Sequence, residues 1–381
     1  MSQQFFTAQE QADIIRRVFE KQDLTAKIVK WDEGAAYNRF QIALSAGTKI
    51  QKLSSALDFI RLELRCYSIR MEAPIPGTAL IGLEVPHHRL TPILYQQAMA
   101  AIQGDENTPP LSFPLGCDVT GKIVSCNLEA MPHLLIGGSA GSGKSVCLHS
   151  MICTLIKRNS PQQLGLILID PKAIEFNLYQ DIPHLLTPVV SNTRGAIGAL
   201  AWLVDEMRRR YQLFSAHSCR SITHYNEEQA DPAQRLQRIV VVIDELSDLM
   251  ADYRHEAEDY LRQLSALARS SGIHLVMATQ RPSVEVITGV IKNNFPSRIA
   301  FYTPSGIDSR NILDSTGAEN LIGRGDMLYK PVTGQLVRVQ GCLITEEECR
   351  AIAEGLIGQP QYIPAIEKMA ADSRFARIPL S

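Results

Sequence analysis

The octapeptide Gly138-Ser-Ala-Gly-Ser-Gly-Lys-Ser145 has the residue types that a phosphate-binding loop requires. Glycines let successive backbone N–H groups curl around phosphates, the Lys144 ammonium offers a charge to the β- and γ-phosphates, and the Ser145 hydroxyl can ligate Mg²⁺. An apolar run at 133–137 precedes the loop and a helical pattern at 146–156 follows it, in the order typical of a P-loop. We therefore predict ATP binding by Gly138, Ser139, Ala140, Gly141, Ser142, Gly143, Lys144, Ser145 and Val146.

A second apolar run, 239–243, ends at Asp244 and Glu245. If it forms a strand beside the P-loop strand, both carboxylates reach the same edge of the sheet. Asp244 is then expected to hold Mg²⁺ with Ser145, and Glu245 to orient or deprotonate the attacking water. Gln280 follows the run 273–279 and could sense the γ-phosphate or place water, the alternative being a loop amide that bonds the backbone.

Four basic positions suggest contacts beyond the nucleotide. A chain cannot easily place a cation opposite its own Lys144, whereas a ring neighbour can, and Arg269 and Arg310 are the candidates. Arg281 and the segment 292–294, which contains Lys292 and Asn293, follow strand ends and could contact DNA phosphates. Surface or ion-paired arginines and solvated loops are the alternatives.

The elements that must position these residues are predicted from hydrophobic periodicity. From the P-loop onward, short β-branched runs at 164–170, 239–244, 273–279 and 298–302 alternate with helical stretches at about 194–216 and 257–271. This alternation predicts an α/β fold with a parallel sheet covered on both faces. A hairpin is expected at 115–124, a surface connection at 226–237, and a helix that begins with the capping box at Thr345.

The first hundred residues have a different pattern. Residues 8–21 predict an amphipathic helix. Two strands at 26–30 and 37–44, a helix over 49–64 and two more strands at 66–71 and 78–85 predict a small α+β unit. A further helix at about 94–102 leads into the polar, Pro-bearing segment 104–110, where we place the boundary. The expected organisation is an N-terminal helix in 1–25, a small α+β domain over 26–105, a P-loop ATPase domain over 110–355 and a tail over 356–381.

Composition limits the possible classes of protein. With 381 residues, 45% hydrophobic and 20% charged, the chain can bury a sizeable core, and its net charge of -2 does not indicate a nucleic-acid partner. No apolar run approaches the roughly 20 residues that span a bilayer, and the N-terminus lacks a signal-peptide pattern, so a cytoplasmic protein without its own membrane anchor is expected. The eight scattered cysteines are expected to be buried reduced thiols, and histidines such as His133, His184 and His274 to be core residues, since no Cys/His spacing indicates a metal.

Taken together, the motifs resemble the motor region of the FtsK/SpoIIIE family of double-stranded DNA translocases over roughly residues 26–362. The stretches that carry this resemblance are Ile81-Gly-Leu-Glu-Val-Pro86, Met131-Pro-His-Leu-Leu135, Ile169-Asp-Pro-Lys172, Ile182-Pro-His-Leu-Leu186, Glu206-Met-Arg-Arg-Arg-Tyr211, Ala278-Thr-Gln-Arg-Pro-Ser-Val284, Ile287-Thr-Gly-Val-Ile-Lys292, Ile307-Asp-Ser-Arg310 and Gly325-Asp-Met-Leu-Tyr329. The resemblance implies a small α domain, a RecA-like β domain and a hexameric ring with DNA through its pore. It also implies that Arg269 acts in trans and that Arg281 and Lys292 lie in pore loops.

The chain departs from the family pattern in several places. From its length we expect neither a membrane anchor with its linker nor a winged-helix γ domain. Ser305-Gly306 stands where Ser-Lys is common, so one expected pore-loop lysine is missing. Asp32-Glu-Gly-Ala-Ala-Tyr-Asn-Arg-Phe40 lacks the usual Pro-Gly-Pro. The first hypothesis is an ATP-driven DNA translocase. The alternative is a protein-export ATPase of the type VII secretion kind, which shares the ATPase module.

Overall fold

The computed structural model describes residues 6–66, 68–87, 91–104, 107–332, 334–356 and 358–372. Its N-terminal unit is a four-stranded antiparallel sheet in the order β1-β2-β4-β3 that packs against two helices. The elements are α1 (Ala8–Lys21), β1 (Ala26–Glu33), β2 (Tyr37–Leu44), α2 (Ile50–Leu64), β3 (Arg70–Glu72) and β4 (Ile81–Pro86). The predicted strand at 66–71 is therefore shorter and later, and Tyr67 lies outside the described residues.

Helix α1, which was expected to precede the small domain, packs into it. Thr7 and Glu10 form a capping box at its first turn. Its apolar face, which includes Ile15 and Phe19, shares one hydrophobic cluster with α2 and the sheet. The helix and the sheet thus need one another to bury their apolar faces.

The segment after β4 belongs with the second unit. It contains β5 (Ile93–Leu94) and α3 (Tyr95–Gln103). Strand β5 pairs with a strand of the large sheet, and Tyr95 and Met99 lie in the core of that unit. The predicted small domain, 26–105, included this segment, but its apolar side chains pack against the large unit instead.

The large sheet is mixed rather than wholly parallel. Its order is β7-β6-β14-β13-β12-β8-β11-β10-β9. The strands are β6 (Ser112–Asp118), β7 (Ile123–Asn127), β8 (His133–Gly137), β9 (Leu164–Ile169), β10 (Arg238–Ile243), β11 (Ile273–Thr279), β12 (Ser297–Phe301), β13 (Asp326–Lys330) and β14 (Val337–Leu343). The five strands from β12 to β9 are parallel, as predicted, and include the P-loop strand β8. The hairpin β6–β7 is also confirmed. The antiparallel strands β13 and β14, which connect this hairpin to the parallel strands, were not predicted.

Helices cover both faces of the parallel strands. They are α4 (Lys144–Arg158), α5 (Thr193–Ala216), α6 (Ile222–Glu228), α7 (Leu246–Leu267), α8 (Gly289–Asn294), α9 (Gly306–Leu313), α10 (Glu346–Glu354) and α11 (Pro364–Ala370). Helix α4 shares one hydrophobic cluster with α3 and α10, and helices α5, α7 and α11 share the other. The Thr345 capping box begins α10 as predicted.

Two helices differ from the predicted bounds. Helix α7 begins at Leu246, eleven residues before the predicted start at 257, because Glu245 caps it and a non-helical Tyr253 interrupts the periodicity. Helix α11 packs against α5 with Ile366 buried, although residues 356–381 were expected to form a tail. The last part of that predicted tail, 373–381, lies outside the described residues.

A buried ionic cluster joins the two units. The Arg338 guanidinium on β14 donates to Glu84 of β4 at 2.9 Å and to Asp326 of β13 at 2.7 Å. Arg70 adds a further donor to Glu84, and Arg338 stacks 4.1 Å above the Tyr37 ring. Because an unpaired charge in this setting would be costly, the cluster fixes how the small unit sits on the large sheet.

No helix in the described part of the chain combines the length and the apolar composition that a bilayer span requires.

Candidate nucleotide-binding site

The P-loop connects the central strand β8 to helix α4. The Ser139 N–H donates to the Tyr302 carbonyl at 2.9 Å, and the Gly325 N–H donates to the Ser142 carbonyl at 2.8 Å. These bonds tie the loop to the ends of β12 and β13. The backbone therefore turns into α4 with its N–H groups at the positive end of the helix dipole, where an anion is favoured.

Gly143 is required at the start of that helix. Its φ is +117°, and a Cβ there would lie 2.7 Å from the backbone of Gly325. A side chain would both strain the backbone and force the two segments apart. The loop geometry thus depends on glycine types that the motif already indicated.

Lys144 and Asp244 form a buried pair. The Lys144 ammonium donates to the Asp244 carbonyl at 2.9 Å and lies 2.5 Å from the carboxylate Oδ1. Both side chains are at most 3% exposed. Burial raises the pKa of Asp244, and the neighbouring ammonium opposes that rise. The structure therefore brings the predicted phosphate-binding lysine and the predicted metal ligand together.

Ser145 contacts a carboxylate that the sequence analysis did not single out. Its hydroxyl donates to Glu175 Oε1 at 2.8 Å, and His149 Nε2 lies 3.5 Å from Glu175 Oε2. The hydrogen bond with His149 lowers the pKa of Glu175. Ser145, Asp244 and Glu175 offer only oxygen atoms, which is the donor chemistry that Mg²⁺ prefers, so the residues present fit that ion.

Asp170 places Glu175. The Asp170 carboxylate follows β9 and accepts backbone N–H bonds from Ile174, Glu175 and Phe176 at 2.8, 2.7 and 3.1 Å. This turn directs Glu175 toward α4. One sequence signal could have indicated Glu175. The Asp-Pro-Lys motif follows the strand next to β10, and Glu175 is the acidic residue three positions after that motif.

Glu245 is held by a dense set of donors. Its Oε1 accepts from the Thr279 hydroxyl at 2.7 Å and the Ser247 hydroxyl at 2.9 Å, and its Oε2 accepts from the Gln280 N–H at 3.1 Å. Lys172 Nζ lies 4.0 Å from Oε2. The carboxylate, only 2% exposed, is therefore held as an oriented acceptor beside the Lys144–Asp244 pair.

A cavity of about 420 Å³ opens beside the P-loop. Its polar lining includes Lys144, Gln280, Arg324 and Gln340. Its apolar wall is formed by Pro92, Leu115, Met327, Cys342 and Leu343. A phosphate site with an adjoining apolar cavity matches the shape and chemistry of a nucleotide.

The predicted DNA-binding residues differ in position and surroundings. Arg281 follows β11 at the P-loop edge, whereas Lys292 and Asn293 lie on helix α8 rather than in a loop, and the Lys292 carbonyl accepts from Arg298 near the amino end of β12. Arg281 is exposed and forms no ion pair with any described residue, and Asn293 is exposed on α8. The Lys292 ammonium instead donates to the Arg310 carbonyl at 3.2 Å and lies 3.5 Å from Asp314. Arg281 is thus free to contact a ligand, whereas Lys292 would have to leave its acidic neighbour.

Arg269 lies at the opposite edge of the sheet. It precedes β11, and its carbonyl accepts the Gly272 N–H at 3.1 Å in the turn that enters the strand. The seven residues of β11 separate it from Gln280 by about 20 Å. The structure therefore does not bring Arg269 to its own P-loop. Arg310 lies on α9, where its carbonyl accepts the Lys292 ammonium.

Two family models match the chain. The FtsK alpha domain matches residues 2–87 and the FtsK/SpoIIIE family matches residues 96–284. Among curated relatives, the protein named DNA translocase FtsK of Caldanaerobacter subterraneus subsp. tengcongensis is 49% identical over 348 residues, covering 91% of this chain and 49% of that protein. The protein of the same name from Clostridium tetani is 46% identical over 339 residues, covering 88% of this chain and 46% of its own. The chain thus spans about half the length of these relatives.

Solved structures show the same fold. The conjugation coupling protein TcpA of pCW3, solved with ATPγS, matches with a TM-score of 0.63 at 24% identity over 90% of this chain and 99% of that one. The cytoplasmic domain of the type VII secretion ATPase EccC of Thermomonospora curvata matches with a TM-score of 0.59 at 22% identity, covering 72% of this chain and 36% of that one. The predicted RecA-like P-loop fold, preceded by a small α+β unit, is confirmed.

Proposed function

The chain belongs to the FtsK/SpoIIIE family, and from this premise we propose that it is an ATP-driven translocase of double-stranded DNA. One observation carries the proposal: the Glu245 carboxylate accepts a hydrogen bond from the Gln280 N–H, one residue before the exposed Arg281. A change at Glu245 during hydrolysis would therefore reach a basic loop directly. The name of the relatives, DNA translocase, supports duplex DNA as the ligand of that loop.

In the proposed reaction, Lys144 exchanges its contact with Asp244 for the β- and γ-phosphates of ATP. Ser145 and Asp244 would hold Mg²⁺, with Glu175 within reach of the same site, and the ion would neutralise phosphate charge. Glu245 Oε2 orients the attacking water and accepts its proton. The side-chain amide of Gln280, which lines the cavity, is placed to contact the γ-phosphate or the same water.

The proposed assembly is a homo-hexameric ring. A head-to-tail ring joins unlike surfaces, so the edge that carries Arg269 can meet the P-loop edge of the next subunit. Arg269 then supplies the positive charge that its own P-loop cannot receive from it. Arg281, Lys292 and Asn293 would contact the DNA backbone without base recognition.

The test is ATP hydrolysis with and without linear duplex DNA, followed by displacement of a triplex-forming strand. We expect DNA to stimulate turnover, Lys144→Ala to abolish it, and Lys157→Ala, an exposed lysine on the same helix, to leave it unchanged. DNA-stimulated turnover in Lys144→Ala would contradict the site assignment. Hydrolysis that duplex DNA does not stimulate would favour the export ATPase, although the match of residues 2–87 to the FtsK alpha domain supports DNA.

A further inference from the structure

A cluster of three metal-ligating side chains lies far from the P-loop, where α5 turns into α6. The Cys219 Sγ is 3.2 Å from Glu228 Oε2, and the His224 Nε2 is 3.2 Å from Glu228 Oε1. One ligand atom from each of the three residues lies within 4.8 Å of the others. Cys219 is buried and the other two side chains are half exposed, so the cluster opens to solvent on one side.

The local backbone assembles this cluster. Ser218 takes a left-handed conformation with φ +56°, and the Cys219 N–H donates back to the Phe214 carbonyl at 2.8 Å. The Ser221 hydroxyl then accepts the His224 N–H at 3.3 Å and caps α6. His224 and Glu228 are four residues apart, which places them on one face of α6, toward Cys219.

The donor set and its spacing suit a zinc-type ion. Bonds of about 2.3 Å to sulfur and about 2.0–2.2 Å to nitrogen and oxygen put tetrahedral ligand atoms about 3.3–3.6 Å apart. The two Glu228 oxygens lie 3.2 Å from the Cys219 sulfur and from the His224 nitrogen, and one ligand atom of each residue lies within 4.8 Å of the others, so side-chain rotation can bring the three to this spacing. We propose that Cys219, His224 and Glu228 bind one Zn²⁺-class ion, with solvent at its fourth position.

A bound ion would also fix the loop that carries Arg269. The Ile222 N–H at the start of α6 donates to the Ser270 carbonyl at 2.9 Å. A Cβ on Gly272 would lie 2.6 Å from the Ile222 side chain, so the two segments are in close contact. Immobilising α6 should therefore slow amide hydrogen exchange in residues 268–272.

The competing account is that the three groups only satisfy one another by hydrogen bonds. The test is titration of the metal-free full chain with Co²⁺, which reports a thiolate ligand by a sulfur-to-cobalt charge-transfer band, followed by competition with Zn²⁺. We expect one Co²⁺ per chain, loss of the band in Cys219→Ser, and at least tenfold weaker binding in His224→Ala and Glu228→Gln. Cys66→Ser and His255→Ala, at a partly exposed thiol and an exposed histidine elsewhere, should bind normally.

Two outcomes would overturn the proposal: a chain that binds neither ion at micromolar concentration, or a charge-transfer band that persists in Cys219→Ser. Because Cys219 is buried beside Phe214, that variant could be unstable. His224→Ala and Glu228→Gln alter half-exposed side chains, so unchanged Co²⁺ affinity in both would be equally decisive. Hydrogen exchange of residues 268–272 with and without Zn²⁺ then tests the link to the Arg269 loop.

Discussion

The two edges of the parallel sheet contrast in how completely one chain satisfies their polar groups. At the carboxyl edge, Lys144 pairs with Asp244, Ser145 with Glu175, and Glu245 with three donors from two segments. At the amino edge, Arg269 is exposed and forms no ion pair with any described residue. One edge is a preorganised site within the chain, and the other presents a cation outward.

This difference indicates at which edge contact with a second subunit would affect ATP hydrolysis. Preorganised donors and acceptors cost little reorganisation when the reaction occurs, so the carboxyl edge needs ligands more than it needs new protein contacts. An exposed guanidinium is worth little in water but much when it is brought to a developing phosphate charge. Substitutions at either edge can therefore test the roles proposed for the two edges.

The largest expected effect is at the amino edge. Arg269→Ala should reduce DNA-stimulated hydrolysis about 10³-fold or more, as loss of a trans arginine does. Mixing these subunits with Lys144→Ala subunits should restore part of the activity, because an intact P-loop can then face an intact arginine. Arg262→Ala, an exposed arginine on the preceding helix, is the control. No recovery on mixing would contradict the action of Arg269 in trans. A larger loss in Arg310→Ala would assign the role to Arg310 instead.

The next effect is at the carboxyl edge. Glu245→Gln should lower the hydrolysis rate about 10²–10⁴-fold while ATP binding persists, because the amide keeps the shape but cannot accept the water proton. Single-turnover hydrolysis and nucleotide binding measure the two quantities separately. Glu256→Gln, an exposed change on α7, should have no effect. Hydrolysis within twofold of the normal rate in Glu245→Gln would exclude this residue as the base.

Two buried histidines at the amino edge should contribute to the pH dependence of stability. Burial lowers the pKa of His133 to about 3 and of His274 to about 4. Below pH 6.5 the unfolded chain binds protons that the folded chain does not, so stability is lost as pH falls from about 6.5 toward those values.

Between pH 6 and 5 the free energy of unfolding should therefore fall by about 2–3 kcal/mol for the two histidines together. Denaturant unfolding at each pH measures this slope, which His274→Gln should roughly halve. His255→Gln, at an exposed position, should leave it unchanged. A slope that is the same in all three proteins would show that these imidazoles do not control acid stability.

The smallest effect concerns DNA contact. The logarithm of the binding constant for duplex DNA falls linearly with the logarithm of the salt concentration. Arg281→Ala should make this slope shallower by about 0.9, as expected for the loss of one phosphate contact. Hydrolysis without DNA should stay normal. Arg220→Ala, an exposed arginine outside the proposed DNA-binding loops, is the matched control. If Arg220→Ala changed the slope and Arg281→Ala did not, the proposed DNA-binding edge would be wrong.

The strands and the P-loop were predictable because their signals are local. Short β-branched runs ending in polar residues located β9 to β12, and the glycine spacing located the loop. Helix α7 was placed too late because Tyr253 interrupts its period. Helix α3 was located correctly but assigned to the small domain, because its apolar face does not indicate which core will bury it, and helix α11 falls in a segment that was expected to be a tail.

The polar residues that the sequence did not indicate are also brought together by contacts that no local pattern shows. Glu175 lies thirty positions from Ser145 and reaches it only through the turn that Asp170 caps. Cys219, His224 and Glu228 lie within ten residues, yet the segment after 226 was interpreted as a surface connection. Their convergence depends on the left-handed conformation of Ser218 and on the short helix α6 that Ser221 caps.

The sequence by itself determined which residues could bind phosphate and hydrolyse ATP, because the P-loop and the Asp244-Glu245 pair need particular residue types at fixed spacing. The tertiary structure alone decided which of them touch: Lys144 with Asp244, Ser145 with Glu175, and Glu245 with the base of the Arg281 loop. It also decided that Arg269 faces away from its own site. These relations depend on strand order and packing across long sequence separations, which no local pattern encodes.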